Sequence, residues 1–202
     1  MVPVKVYGLP MNGSVARVLA CLEEVDAEYE VVVVDLHTGE HKRLPHLARN
    51  VAQIKRLIGI FFFFCRLTAL QSGASFSGWR PDSLWIRTLH CLASCVMLPI
   101  VFQGLVVPVY MGGTSGLKVI EENLEKLKEI MEVYEERLSK LKYLAGNFLS
   151  LADISHFPMV HLLQETPYGS VLDAYPHVKA WMAAVMDRPA VKKVMVLMKT
   201  FG

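Results

Sequence analysis

Within the first fifty residues, apolar and polar positions follow two different rhythms. "VKVYGLP", Val4 to Pro10, is a short β-branched and aromatic run halted by Gly-Leu-Pro, and "SVARVLACLEEV" then repeats apolar residues at helical spacing. The pattern predicts strand, loop and helix. The helix should begin near "NGS" (Asn12 to Ser14), all favourable N-cap types, and bury Val15, Val18, Leu19 and Leu22. "EYEVVVVDL", Glu28 to Leu36, predicts a strand long enough to be buried. Together they make a βαβ unit, whose parallel strands need helices on their faces.

After Asn50, periodicity, capping signals and charge pairing fade until about Leu98. They return in "VIEENLEKLKEIMEVYEERLSKLK", Val119 to Lys142, where Leu124, Leu127, Met131, Tyr134 and Leu138 fall three and four apart. Glu121, Glu125, Lys126 and Lys128 occupy the wet side. "FLSLADISHFP" carries a capping box, with Ser150 as N-cap, Asp153 reaching back and Leu149 stapling onto Ile154. Pro158 is expected in the first turns of that helix, where its missing N–H is tolerable. "YPHVKAWMAAVMDRPAVKKV" predicts a further helix, a break at Arg188-Pro189 and a last short helix.

Composition narrows the function classes. The chain has 202 residues, 53% hydrophobic, with 21 basic and 19 acidic residues and a net charge of +2. That balance supplies no field to gather nucleic acid or an anionic membrane surface. The apolar run from Leu57 to Cys65 lies between Arg56 and Arg66, too short to cross a bilayer, so no membrane partner is expected. It also lacks the two-residue alternation of a half-buried strand. Four cysteines (Cys21, Cys65, Cys91 and Cys95) form no disulfide framework, and the N-terminus lacks a signal region, so a reducing, cytoplasmic setting is expected. Cys91 and Cys95 have no second ligand pair at suitable spacing, and no metal is expected.

The candidate chemistry gathers around the βαβ unit. The N-terminus of its helix offers backbone N–H groups and positive potential to an anion or thiolate, and a hydroxyl there would lower a thiol's pKa. Ser14 is the hydroxyl at that turn, with an ordinary N-cap as its competing reading. "GEHKRLPHLARN", Gly39 to Asn50, sets His41 and Lys42 just after the second strand, where two cationic donors would hold a carboxylate or else form a solvated basic turn. His156 and His161, on a mostly apolar helical stretch, read as structural or helix-end histidines.

These residues are specific enough to show a resemblance. "VKVYGLPM", "VARVLACLEEV", "AEYEVVVVD", "EHK", "HLARN", "EENLEKLKEIMEVYEERLSKLKYLAGNFLSLADISHFP" and "AYPHVKAWMAAVMDRPAVKKV" resemble, in order, the plant phi-class glutathione transferases. The likeness covers residues 2 to 50 and about 98 to 198. It implies an α/β plus all-α fold. Residues 1–50 would belong to a thioredoxin-like N-terminal domain, expected to be incomplete, and residues 98–202 to an all-helical C-terminal domain, with 51–97 an aberrant segment. The implied reaction is attack of glutathione thiolate on hydrophobic electrophiles in detoxification, with glutathione as co-substrate and a homodimer as the assembly.

By the same resemblance, His41 and Lys42 are the glutathione-binding pair at the glycyl end. The family's thiolate-activating serine falls on Asn12, followed by Gly13 and Ser14. Asn12 retains amide N–H donors, and Ser14 serves if the turn shifts. The family's proline-phenylalanine entry, cis-proline and Glu-Ser pair are not found after Asn50, so impaired activity is expected. The alternatives are a non-catalytic binder of hydrophobic small molecules and an inactive mis-spliced product.

The middle segment has its own reading. "IGIFFFFCRLTAL", Ile58 to Leu70, contains four consecutive phenylalanines, whose codons permit an unbroken pyrimidine tract ending in CAG, the shape of an intron's 3′ end. Val51 supplies GT, the shape of a donor. Ala69 to Arg87, read one nucleotide over with permitted codons, gives proline, phenylalanine, three variable residues, then Pro-Ala-Phe-Gln-Ala-Gly-Asp-Leu-Thr-Leu-Phe-Gly-Ser. That string resembles the family's missing strand, hairpin and glutathione-gripping loop, so the segment is expected to be part retained intron and part exon out of frame.

Overall fold

The computed structural model describes residues 3–34, 38–40, 92–110 and 117–200, which fall into two compact units. The first unit contains β1 (Val4–Tyr7), α1 (Gly13–Glu24), β2 (Tyr29–Val32) and the last helix of the chain. β1 and β2 pair in parallel, Val4 opposite Tyr29 and Tyr7 opposite Val32, so the predicted βαβ unit is present. β2 is shorter than the expected Glu28 to Leu36. Among the described residues its partner is β1, which ends where Gly8 turns away, and a run of valines without a paired neighbour is not a strand. Val33 is exposed while Val34 is buried.

α1 buries Ala16, Leu19, Ala20, Cys21 and Leu22, while Val15 and Val18 are only half-buried. The buried stripe therefore sits toward the small residues rather than toward the valines that the pattern favoured. The helix ends as Asp26 takes a left-handed conformation at φ 53° and the Ala27 N–H returns to the Leu22 carbonyl at 3.0 Å. The last helix, which packs on α1, buries Ala190, Val191, Val194 and Met198. Glu23 ties three elements together: it accepts a hydrogen bond from the Tyr29 hydroxyl and pairs with Lys193 at 2.8 Å.

The second unit is helical. It begins with α2 (Leu92–Val106), wound in the wide π geometry with Pro99 inside it, followed by the single turn α3 (Val107–Tyr110). Residues 92–97 thus belong to a helix, whereas residues 51–91 lie outside the described residues. α4 (Leu117–Leu138) matches the long amphipathic pattern: Leu127, Met131, Tyr134 and Leu138 are buried and Leu124 half-buried. On its outer side Lys128 pairs with Glu125 at 2.7 Å. α2 packs on α4 and α5, and at Gly104 a Cβ would stand 2.6 Å from Asn123 Cγ, so this position has no room for a side chain.

α5 (Leu151–Gln164) is buried on nearly every side, as a helix at the centre of its unit must be. Ser150 is its N-cap, and the Asp153 carboxylate accepts from the Ser150 N–H at 2.7 Å and the Ser150 hydroxyl at 2.6 Å. It also accepts from the Leu144 N–H and the Trp181 indole N–H, both at 2.9 Å. Burial pushes the Asp153 carboxyl upward, with these four hydrogen bonds pulling against it. Pro158 is the eighth residue of this helix rather than part of its first turns, so it forfeits a mid-helix bond to the Ile154 carbonyl. His156 is buried and structural: its Nδ1 faces the Ala152 carbonyl, and its Nε2 meets the Tyr134 hydroxyl at 2.9 Å. His161 lies in the last turn, as expected of a helix-end histidine.

A 3₁₀ segment (Pro167–Ala174), capped by the Thr166 hydroxyl, leads to α6 (Pro176–Met186). The break at Arg188-Pro189 then starts α7 (Pro189–Thr200), the last helix already described in the first unit.

Candidate active site

The turn between β1 and α1 is built from few residues. Gly8 continues the ladder, its N–H reaching the Val32 carbonyl at 3.0 Å, while its φ of +145° reverses the chain. A Cβ there would stand 2.6 Å from Val15 Cγ2, so the strand-to-helix approach needs glycine on two counts. Leu9, Pro10 and Met11 carry the chain round, and the Asn12 N–H closes the turn on the Leu9 carbonyl at 2.9 Å.

Asn12, with extended backbone at φ −71° and ψ 122°, is the N-cap of α1. Its Oδ1 accepts from the Ser14 N–H at 2.9 Å, and its carbonyl accepts the first helical bond from Ala16 at 2.9 Å. Ser14 is therefore the second helical residue rather than the cap. Two side chains able to cap lie two residues apart, Asn12 and Ser14, and the one whose carboxamide reaches the second helical N–H takes the position. Asn12 and Ser14 are both exposed.

This geometry gives the turn a definite polarity. Oδ1 accepts from the helix, and the Asn12 amide carries two N–H donors besides. No acidic residue stands in the first turn of α1, so no carboxylate of that turn opposes the positive end of the helix. Amide N–H and hydroxyl groups of this kind are donors to an anion. Among the described residues of this unit, the Cys21 thiol does not compete, because burial pushes it well above the thiolate range. Sequence reasoning missed Arg17, which is buried one turn along, its burial lowering the guanidinium's proton affinity. Its place among the apolar positions of α1 was the available signal. His41 and Lys42 lie outside the described residues, so the structure joins Asn12 to Ser14 and says nothing of the cationic pair.

Residues 2–57 match the family model for the glutathione S-transferase N-terminal domain, and residues 96–189 match that for the C-terminal domain. The chain is 44% identical over 213 residues to glutathione S-transferase 1 of Zea mays, covering 98% of this chain and 99% of that protein. It is 43% identical over 213 residues to the probable glutathione S-transferase GSTF2 of Oryza sativa subsp. japonica. Among solved structures, maize glutathione S-transferase I in complex with an atrazine glutathione conjugate is similar with a TM-score of 0.83 and 39% identity, covering 100% of both chains. The same fold recurs in glutathione S-transferase-I bound with lactoylglutathione, at a TM-score of 0.77. With both domain families matched in order and a relative aligned along nearly its whole length, the chain belongs to the glutathione S-transferases, in the plant phi class, with a thioredoxin-like N-terminal domain followed by a helical C-terminal domain.

Proposed function

We propose that this chain binds reduced glutathione with its sulfur at the first turn of α1 and transfers it to hydrophobic electrophiles, a detoxifying reaction carried out in the cytoplasm. The observation that carries the reading is the capped turn, in which Asn12 spends its carbonyl oxygen on the Ser14 N–H and keeps its amide N–H groups for a ligand. Hydrogen bonds from Asn12, and from the Ser14 hydroxyl where the sulfur lies nearer the helix, favour the thiolate over the thiol. The thiolate attacks the electrophilic carbon, a carbon–sulfur bond forms, the leaving group departs with its electron pair, and the thiol proton goes to solvent. His41 and Lys42 hold the glycyl carboxylate. Glutathione is the co-substrate, no metal takes part, and the working form is a homodimer, a reading supported by family membership.

The test is conjugation of glutathione to a chromogenic aryl halide by the purified chain and its Asn12→Ala and Ser14→Ala variants. Loss of the principal thiolate donor should lower kcat/KM about tenfold or more and raise the apparent pKa of the pH–rate profile. If neither variant changes rate or profile, the first turn of α1 does not hold the sulfur.

A second reading concerns activity. The two family matches leave residues 58–95 between them, a stretch that contains the phenylalanine run and in which the family's γ-glutamyl contacts are not found. We infer that this form of the chain is an impaired transferase or the product of a retained intron. A third possibility is a non-catalytic binder of hydrophobic small molecules. Long-read sequencing of the native transcript across codons 48 to 100 separates these outcomes from a working enzyme. Dominant spliced messages that restore the shifted frame make this chain a mis-spliced product. A message encoding the chain as it stands, with dye binding that saturates without turnover, supports the binder.

A further inference from the structure

The α6 helix does not cap itself. Tyr175 at its N-cap makes no side-chain capping bond, Pro176 follows, and no acidic residue stands in the first turn. A carboxylate from another helix does the work: Glu135 of α4 accepts the His177 N–H at 3.1 Å on Oε1 and the Val178 N–H at 2.9 Å on Oε2. The His177 ring adds a third contact, its Nδ1 lying 2.6 Å from Oε1. One carboxylate thus satisfies two orphan donors of the first turn and places negative charge at the positive end of the helix.

We propose that Glu135 is a pH-sensitive latch on α6, whose protonation releases the first turn of that helix before the rest of the helical unit opens. The geometry supports a local release. Glu135 keeps 21% of its side-chain surface exposed, so protons reach it from solvent. Farther along α6, the Trp181 indole remains bonded to Asp153, which is fully buried and grips the helix independently of the latch. The Glu135 carboxylate faces His177 of α6; farther along α4, Glu132, Lys128 and Glu125 act with Glu135 on the Tyr175 hydroxyl, which bonds the Lys128 carbonyl, and Lys128 and Glu125 are paired with each other. Burial of Glu135 opposes its ionisation, but the Val178 and His177 N–H groups and the His177 ring outweigh it and hold the carboxyl below its ordinary range. The sign is that of a lowered carboxylate: the contribution is complete above the ordinary carboxylate pKa and is lost as the pH falls through the lowered value.

Hydrogen exchange of the full chain, read by mass spectrometry and corrected for the intrinsic rate at each pH, tests the latch. Protection of a peptide spanning residues 175–182 should fall about tenfold between about pH 7 and about pH 3, while a peptide from 151–164 keeps its protection. In Glu135→Gln the first peptide should exchange at neutral pH as the acid form does, and its pH step should vanish. His177→Ala should keep most of the step, because both backbone bonds remain. The proposal is overturned if the two peptides lose protection together, if Glu135→Gln retains the wild-type step, or if His177→Ala abolishes it as fully as Glu135→Gln.

Discussion

Replacing Asp153 by alanine should be among the most damaging single changes in the helical unit. The carboxylate is fully buried and accepts four hydrogen bonds, from Ser150 N–H, Ser150 Oγ, Leu144 N–H and Trp181 Nε1. The Ser150 hydroxyl can rotate to another acceptor, but two backbone N–H groups and the indole N–H cannot. Three orphaned buried donors at about 1–3 kcal/mol each, partly relieved by water entering the space, put Asp153→Ala at about 3–5 kcal/mol. Asp153→Asn is the sharper comparison. Its oxygen serves Leu144 and Trp181, but its amide then faces the Ser150 N–H donor to donor, costing about 1–3 kcal/mol. Urea unfolding of the full chain, followed by far-ultraviolet circular dichroism, measures both changes from the shift in midpoint at constant slope. An Asp153→Ala loss below about 1 kcal/mol, or an Asp153→Asn loss as large as that of alanine, would refute the reasoning that hydrogen-bond satisfaction sets the cost.

Other consequences follow from single contacts. Tyr134→Phe keeps the buried ring but removes the donor to His156 Nε2, and should cost about 1–2 kcal/mol in the same unfolding assay. Gly8→Ala forces a side chain onto a backbone at φ +145° and to within 2.6 Å of Val15 Cγ2, so a loss of about 1–3 kcal/mol is expected, with lower yield of folded protein as the first sign. Burial of Glu23 opposes its ionisation, but Lys193 and Tyr29 outweigh it and leave the carboxyl below its ordinary value of 4.5. Its stabilisation is present above that value and fades as the pH falls through the lowered one. Wild type and Glu23→Gln should therefore differ in melting temperature near neutrality and converge in acid.

The linear order of apolar and polar residues was enough to determine the βαβ opening, the long helix (expected over Val119–Lys142, found over Leu117–Leu138), the N-cap at Ser150 and the break before Pro189, because each rests on neighbours within one or two turns. It also brought Asn12 and Ser14 to one helix start, through cap chemistry that is local by nature. It could not choose between the two caps, since the choice depends on where the Asn12 amide lies against the Ser14 N–H. The length of β2 was set by the partner that β1 offers, and strand pairing is not written in the strand's own residues. Pro158 sat deeper in its helix than its distance from the capping box suggested, in a helix buried on almost every side. The packing of the last helix on α1, the grip of Asp153 on Trp181 and the cap that Glu135 lends to α6 join residues between 28 and 170 positions apart. Tertiary structure alone decided those contacts, because a hydrogen bond depends on distance in space and the sequence records distance along the chain.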